Sequence, residues 1–437
     1  MFAGLVRLSR RRLCFVCGLG PLITQEAMLY SMIEVAQIRN LSEGLPLFGE
    51  FSEGFEPVFD AFVSNFIDLD DFGASVCIYH QGRKVVDLTG GWSSKRSEIN
   101  YSQDLVQMVF SSTKGACTIC ALKLIEEGLL DPQSPVSHYW PEFAPNNSLK
   151  STTTVEHLLT HQAGLAVIDE KLTLEELLSW HPIIRALEIQ EPSWEPGCAH
   201  GYHALTFGWL VGEVIFRITG LSIGEYFSEN IAKPLGLDFW IGLPPQFESL
   251  VSPLRIGPMP SMESVDPKLL AMVGEFLSPD SRLVKALTLN GAFGQFMGGK
   301  GPFNLPEVHQ AQIPAANGIT NARSLAKMYA ACIGPVDGVQ LLESSTLRDA
   351  VVVRSNGKDE ILPTNSRFGL GFMLHDDEFM PMLGSGSFGH SGAGGSLGFG
   401  DLDNEIGFGY VMNQMRLSLA SDPRQMNLIE ALRKCLD

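Results

Sequence analysis

Ser111 and Lys114 are spaced three apart in the run Phe110-Ser-Ser-Thr-Lys-Gly115. On a helix that spacing puts both side chains on one face, with Cβ atoms roughly 5–6 Å apart. It brings a lysine amine beside a hydroxyl. Ser111 falls where the helix should begin, so its backbone N–H has no intrahelical acceptor. Burial and the positive helix end both disfavour the ammonium form of Lys114. A neutral lysine can then act as a general base toward the serine. Ser-x-x-Lys is a short pattern, and roughly two matches arise by chance in a chain of this length. Three occur, at Ser111, Ser324 and Ser355. Ser324 reads as lying inside a helix, where it has no free N–H, and Ser355-Asn-Gly-Lys358 reads as a turn. Ser111 alone opens an apolar helix.

Two further segments carry polar groups on loops. Trp194-Glu-Pro-Gly197 makes a turn, and Tyr202 follows just before a helical run at 203–219. Gly389-His-Ser-Gly-Ala-Gly-Gly-Ser396 surrounds His390 with glycines, which let a backbone approach a ligand closely and present its N–H groups. Gly394-Gly-Ser-Leu-Gly398 matches the G-x-S-x-G nucleophile elbow. That elbow needs a strand-turn-helix context and a histidine after the serine. No histidine follows His390, and the next segment reads as strand, so an α/β-hydrolase triad is rejected.

The elements that must hold these residues read as strands at both ends and helices between. Residues 74–79 and 84–88 read as strands joined at Gln81-Gly82. Residues 114–127 carry helical periodicity through Ala116, Ile119, Cys120 and Leu124, with Gly128 as the C-cap. Helical patterns cover 153–160, 173–179, 203–219, 223–232, 321–332 and 421–435. Residues 241–320 are loop-rich, and strand-like runs fall at 368–374, 394–400 and 405–412. Terminal strands meeting in one antiparallel sheet, with a mostly helical region inserted at about 150–345, make an α+β protein.

Composition sets outer limits. The 437 residues are 45% hydrophobic and 18% charged, which excludes a disordered or coiled-coil chain. The formal net charge of −18 repels phosphate, so nucleic acid is not expected as a partner. Eight scattered cysteines form no disulfide framework, and neither Cys14/Cys17 nor Cys117/Cys120 has a second pair at zinc spacing. Cys117 and Cys120 read as buried free thiols. The first 25 residues differ from the rest, with Arg7, Arg10, Arg11 and Arg12 and no acid, followed by an apolar stretch from Leu13 to Ile23. Residues 1–40 thus read as an extension with four alternatives: a secretory signal, a mitochondrial presequence, a membrane anchor reaching Ile38, or a plain N-terminal extension. Mitochondrial or membrane-anchored localisation, with membrane association through this segment, is the expectation; a cytoplasmic site is the alternative.

Together the blocks resemble the serine β-lactamase-like family, nearest its carboxylesterase branch and the animal β-lactamase-domain proteins, over residues 44–430. The resemblance rests on Gly54–Val58, Phe110–Gly115, Tyr139–Phe143, Leu158–Leu165, Trp194–Gly197, Tyr202–Trp209 and Gly389–Ser396, present in that order. It implies the family's α+β fold and an acyl-enzyme route that needs no metal or cofactor. Ser111 would be the nucleophile and Lys114 its base partner. Tyr202 would be the tyrosine of the Y-x-N element, returning a proton to the leaving group. His390-Ser391-Gly392 would be the K-T-G element lining the site, and the N–H groups of Ser111 and Ala393 the oxyanion hole. Ala204 stands where Y-x-N has Asn, and His390 where K-T-G has Lys. Both departures remove groups that hold the amide and carboxylate of β-lactams. The implied substrate is a small ester, with weak or no β-lactam turnover. An inactive, assembly-forming scaffold and an amide or D-peptide hydrolase are the alternatives, and the sequence sets no oligomeric state.

Overall fold

Gln81 and Gly82 both adopt positive φ, 51° and 72°, the backbone pair that closes a tight two-residue hairpin. They join the strands Gly73–His80 and Arg83–Ser94, as the sequence indicates. In the computed structural model this hairpin lies inside one large antiparallel sheet. Gly73–His80 is buried almost throughout and pairs on its other side with Ile406–Met412. The two ends of the chain therefore meet strand to strand. From there the sheet continues through Leu397–Asp401, Ser387–Ser391, Met373–Leu374 and Asn365–Phe368 to an edge at Ser355–Lys358. On the other flank come Leu47–Ser52 and Met32–Glu34. The structure describes residues 32–34, 44–94, 96, 98–145, 148–258, 274, 278, 281–294, 301–416 and 421–436. The N-terminal expectations thus fall outside the described residues, apart from Met32–Glu34. Among the described residues no single helix is long and apolar enough to cross a membrane.

Both faces of the sheet are covered. Ile406, Phe408, Tyr410 and Met412 point to one core, shared with the helices Glu56–Asp68 and Pro423–Leu436, which pack on each other. The intervening Gly407 and Gly409 face the helix Ala322–Ile333. A Cβ on Gly409 would stand 2.3 Å from the Ala322 carbonyl oxygen, and one on Gly407 2.4 Å from that of Ala326. The helix can lie this close only because the strand has no side chains there.

The inserted region is largely helical, as expected, with helices at Val155–Leu159, Leu174–Leu178, Thr206–Thr219 and Ile223–Phe227. It also carries strands. Two of them, Gly318–Thr320 and Phe239–Ile241, join Gln107–Met108, which precedes the insertion, in a separate three-stranded sheet, and Gln107–Met108 leads directly into the Ser111 segment. Three local expectations need correction. Ser355–Lys358 is an edge strand rather than a turn, because Asn365–Phe368 supplies the partner that a polar tetrapeptide cannot signal by itself. The run 368–374 is broken into two strands by a turn at Gly369–Phe372, where Gly371 has φ 92°. In the run 394–400 the strand begins only at Leu397, and the glycines before it form a turn.

Replacing Gly409 by Ala should lower the unfolding free energy by about 1–3 kcal/mol, the usual range for overpacking. Urea denaturation measures this. A variant as stable as the parent would show that the helix can move off the sheet without loss.

Candidate active site

The segment that carries Ser111 leaves its strand through an abrupt bend. Phe110 has φ 45°, a conformation that costs a non-glycine residue about 1–3 kcal/mol. One 3-10 turn, Phe110–Ser112, then feeds the helix Thr113–Glu126. Residues 113–122 of that helix are all buried, so it is a core helix surrounded by protein. Cys117 and Cys120 are buried free thiols in it, as read from sequence, and Cys117 donates to the Pro314 carbonyl at 2.8 Å. The first bonded N–H of the turn is that of Ser112, to the Val109 oxygen at 3.2 Å. The N–H of Ser111 precedes it, and among the described residues it has no acceptor.

Lys114 is wholly buried one turn further on. Its Nζ lies 2.6 Å from the Ala204 carbonyl oxygen, 3.1 Å from that of Ala315 and 3.2 Å from Ser111 Oγ. Burial pushes its pKa well below the ordinary lysine range. A neutral amine has two hydrogens and one lone pair. The two carbonyls can only accept, so they take the hydrogens, and the lone pair is left toward Ser111 Oγ, whose hydroxyl then donates. Ala204, which departs from Y-x-N, thus keeps a main-chain role: its carbonyl orients the lysine.

Tyr202 reaches the same point from the loop before helix Thr206–Thr219. Its ring centroid is 4.8 Å from Lys114 Nζ, and the nearby Ser111 side chain partly offsets the effect of burial on its pKa. Burial raises the Tyr202 pKa, so the group is a protonated phenol at neutral pH. Its backbone is fixed by Asp359, a buried carboxylate that accepts from the N–H groups of Tyr202 at 3.0 Å and of Ile361 and Leu362 at 2.8 Å. The Ser366 hydroxyl donates to it at 2.6 Å. His161 and His203 complete the support. His203 donates Nδ1–H to the Gly201 carbonyl at 2.7 Å and accepts from Leu165 N–H at 3.0 Å. His161 Nδ1 accepts from the His203 N–H at 3.1 Å, and its ring lies 5.2 Å from that of Tyr202.

His390 ends the strand Ser387–Ser391 and faces Tyr202. Its Nδ1 lies 2.6 Å from the Ser391 carbonyl oxygen, which can only accept, so Nδ1 carries the hydrogen. Nε2 is then an acceptor, 3.5 Å from the Tyr202 hydroxyl. Burial, with Lys114 adding to it, pushes the His390 pKa down to about 3. The group in the place of the K-T-G lysine is therefore neutral. The hairpin is stapled to the Ser111 segment. Ser112 Oγ donates to the His390 carbonyl at 3.2 Å, and Ser396 Oγ to that of Val109 at 2.7 Å. Gly392 sits in this joint, where a Cβ would stand 2.1 Å from both the Val109 oxygen and Ser396 Oγ. Ser396, the serine of the G-x-S-x-G match, is buried in the staple and does not face a histidine. Ala393 follows in the turn, and among the described residues its N–H has no acceptor.

All six sequence-selected residues thus fall at one junction: Ser111, Lys114 and Tyr202 in mutual contact, His390 against Tyr202, and Gly392 and Ala393 on the stapled hairpin. The other Ser-x-x-Lys matches do not form such pairs. Ser324 takes its N–H to the Asn321 cap, and Lys327 reaches the Leu235 carbonyl and Asp337. Ser355 donates to the Thr160 carbonyl. Sequence reasoning missed Asp359, His161 and His203. His161 lies in the quoted block Leu158–Leu165 and His203 in Tyr202–Trp209, so those blocks were the available signal. Asp359 is 157 positions from Tyr202 and had none. Among the described residues no cluster of His, Cys, Asp or Glu has the arrangement of a metal site.

A family model described as Beta-lactamase matches residues 59–431. The chain belongs to the beta-lactamase family. It is 32% identical over 362 residues to Esterase/beta-lactamase LipL of Mycobacterium tuberculosis, covering 80% of this chain and 79% of that one. Among solved structures, a family VIII carboxylesterase superimposes with a TM-score of 0.78 at 33% identity, covering 89% of this chain and all of the other. EstA from Arthrobacter nitroguajacolicus Rue61a gives 0.76 at 34%, covering 88% and 97%. The expected family and fold are those found.

The neutral histidines make the site a source of acid sensitivity. Folding holds His203 at about 4, His390 at about 3 and His161 well below its usual value, all through burial. Unfolded histidines titrate near 6.5, so below that pH the unfolded chain binds more protons and stability falls. The histidine contribution is fully present above about pH 6.5. It is lost on acidification toward the folded values, by up to about 1.4 kcal/mol per pH unit for each histidine. Urea melts at neutral and mildly acid pH test this; equal stability at about pH 7 and 5 would contradict it.

Proposed function

We propose that this protein is a serine hydrolase of the carboxylesterase type that cleaves small carboxylic esters through an acyl-enzyme on Ser111. One observation carries the reading: the buried Lys114 Nζ lies 2.6 and 3.1 Å from two carbonyl oxygens that can only accept and 3.2 Å from Ser111 Oγ, an arrangement in which a neutral amine turns its lone pair toward the hydroxyl. Ser111 Oγ attacks the ester carbonyl as its proton passes to Lys114. The oxyanion that forms is met by the N–H groups of Ser111 and Ala393, each worth on the order of 3 kcal/mol in comparable sites. Tyr202, a neutral phenol in contact with Ser111, hands a proton to the departing alkoxide and is refilled from Lys114. Water then attacks the acyl-enzyme by the reverse path.

The substrate class follows from charge. A β-lactam carries a carboxylate that the K-T-G lysine meets in penicillin-directed relatives. Here the corresponding group is a neutral imidazole, and the Asn of Y-x-N is a buried alanine. Neutral esters suit such a site better than anionic amides. The names of LipL and of the family VIII carboxylesterase support ester cleavage, and that of LipL carries both activities.

Treatment with a fluorophosphonate should add one adduct by intact mass, and Ser111→Ala should lose both the adduct and turnover while remaining folded. A folded parent that takes no adduct would favour the scaffold alternative. Tyr202→Phe should reduce kcat by about 10²–10⁴, the range for a positioned acid–base group. Full kcat in that variant would remove Tyr202 from the mechanism.

A further inference from the structure

The Ala393 N–H sits in a turn with little intrinsic stiffness. Gly394 and Gly395 follow it with φ of 87° and 126°, so the adjoining peptide planes have no side chains to restrict them. Their orientation is set from outside. Arg424 and Gln425, at the start of the C-terminal helix, reach into the turn. Arg424 Nη2 donates to the Gly394 carbonyl at 2.8 Å, and the Arg416 N–H donates to the same oxygen at 3.1 Å. Gln425 Nε2 donates to the carbonyls of Gly395 at 2.8 Å and Ser396 at 3.0 Å.

These contacts pass to Ala393 through two rigid peptide planes. In a trans peptide the carbonyl and the following N–H point in opposite directions. Holding the Gly394 oxygen therefore aims the Gly395 N–H away from Arg424, and it donates to the Gly392 oxygen at 3.2 Å. Holding the Gly392 oxygen in turn aims the Ala393 N–H the opposite way, where it has no acceptor among the described residues. Gln425 fixes the far end, since the Ser396 oxygen it holds also accepts from the Gly392 N–H at 2.8 Å.

The guanidinium is itself immobile. It is wholly buried, and each of its five hydrogens has an acceptor. Nε and Nη2 bond Asp422 at 2.9 and 2.8 Å, Nη1 bonds Asp71 at 3.1 Å and the Gln414 carbonyl at 2.9 Å, and the fifth hydrogen goes to Gly394. The Tyr410 hydroxyl donates to Asp71 at 2.5 Å, tying the set to the central strand Ile406–Met412. A Cβ on Gly395 would lie 2.5 Å from Arg424 Nη2, so the turn and the guanidinium are in close contact.

We propose that Arg424 and Gln425 are positioning residues that hold the second oxyanion-hole donor, the Ala393 N–H, in its productive direction. This rests on the esterase reading above. Neither side chain touches substrate; both act through the turn. Gln425→Met keeps volume and removes the two donors. Arg424→Lys keeps the charge beside Asp71 and Asp422 and loses the fork to Gly394.

The test uses the full chain with p-nitrophenyl butyrate as the probe ester, at a temperature where melting curves show each variant folded. Misplaced donors cost about 10- to 100-fold in rate, so kcat should fall by that factor in Gln425→Met and in Arg424→Lys, with KM within about threefold of the parent. Fluorophosphonate labelling of Ser111, in which fluoride leaves phosphorus while the phosphoryl oxygen occupies the same donor site, should slow in parallel. Parental kcat in either folded variant, or a loss confined to KM, would overturn the proposal while leaving the esterase reading intact. A parent that neither hydrolyses the ester nor labels at Ser111 would overturn both. Should Gln425→Met fail to fold, Arg424→Lys decides alone, and the reverse holds.

Discussion

The site depends on a lysine amine buried in the middle of the protein. A charged Lys114 would be costly there, so burial favours the neutral form, and two main-chain carbonyls decide where its lone pair points. Those carbonyls come from Ala204 and Ala315, which belong to loops far apart in the chain. The sheet, the core helix Thr113–Glu126 and the helix Thr206–Thr219 all serve to bring these loops onto one amine. A serine hydroxyl at the mouth of the same helix then has that amine 3.2 Å away.

Neutrality extends to the groups around the amine. Tyr202 is a phenol, and His390, His161 and His203 are imidazoles with tautomers or orientations set by backbone partners. The charge is instead concentrated behind the site. Asp359 is buried among N–H groups under Tyr202, and Arg424 is buried between Asp71 and Asp422 under the glycine turn. These paired or hydrogen-bonded ions fix the backbone behind the site.

Much of this was legible in the chain. Ser111 and Lys114 stood out because helical geometry makes a spacing of three a contact, and the apolar run after them marked a core helix. Gln81-Gly82 announced its hairpin because turns are local. The failures are equally instructive. Ser355–Lys358 has a polar sequence suited to a turn, and became a strand only because Asn365–Phe368 lies beside it. The edge strand's pairing is a tertiary fact. Asp359 had no motif, since a carboxylate that accepts from a backbone N–H 157 residues away places no demand on its neighbours in sequence.

The amino-acid sequence by itself determined the Ser111–Lys114 contact, the order of the blocks that mark the family, and the α+β plan in which strands from both halves of the chain share a sheet. These follow from short-range rules: helical spacing, turn chemistry and apolar periodicity. Tertiary structure decided the lysine's lone-pair direction, the tautomer of His390 and the aim of the Ala393 N–H. Each of these depends on a hydrogen-bond acceptor or donor brought in from a distant segment, and the direction of a hydrogen bond cannot be read until both partners are in place.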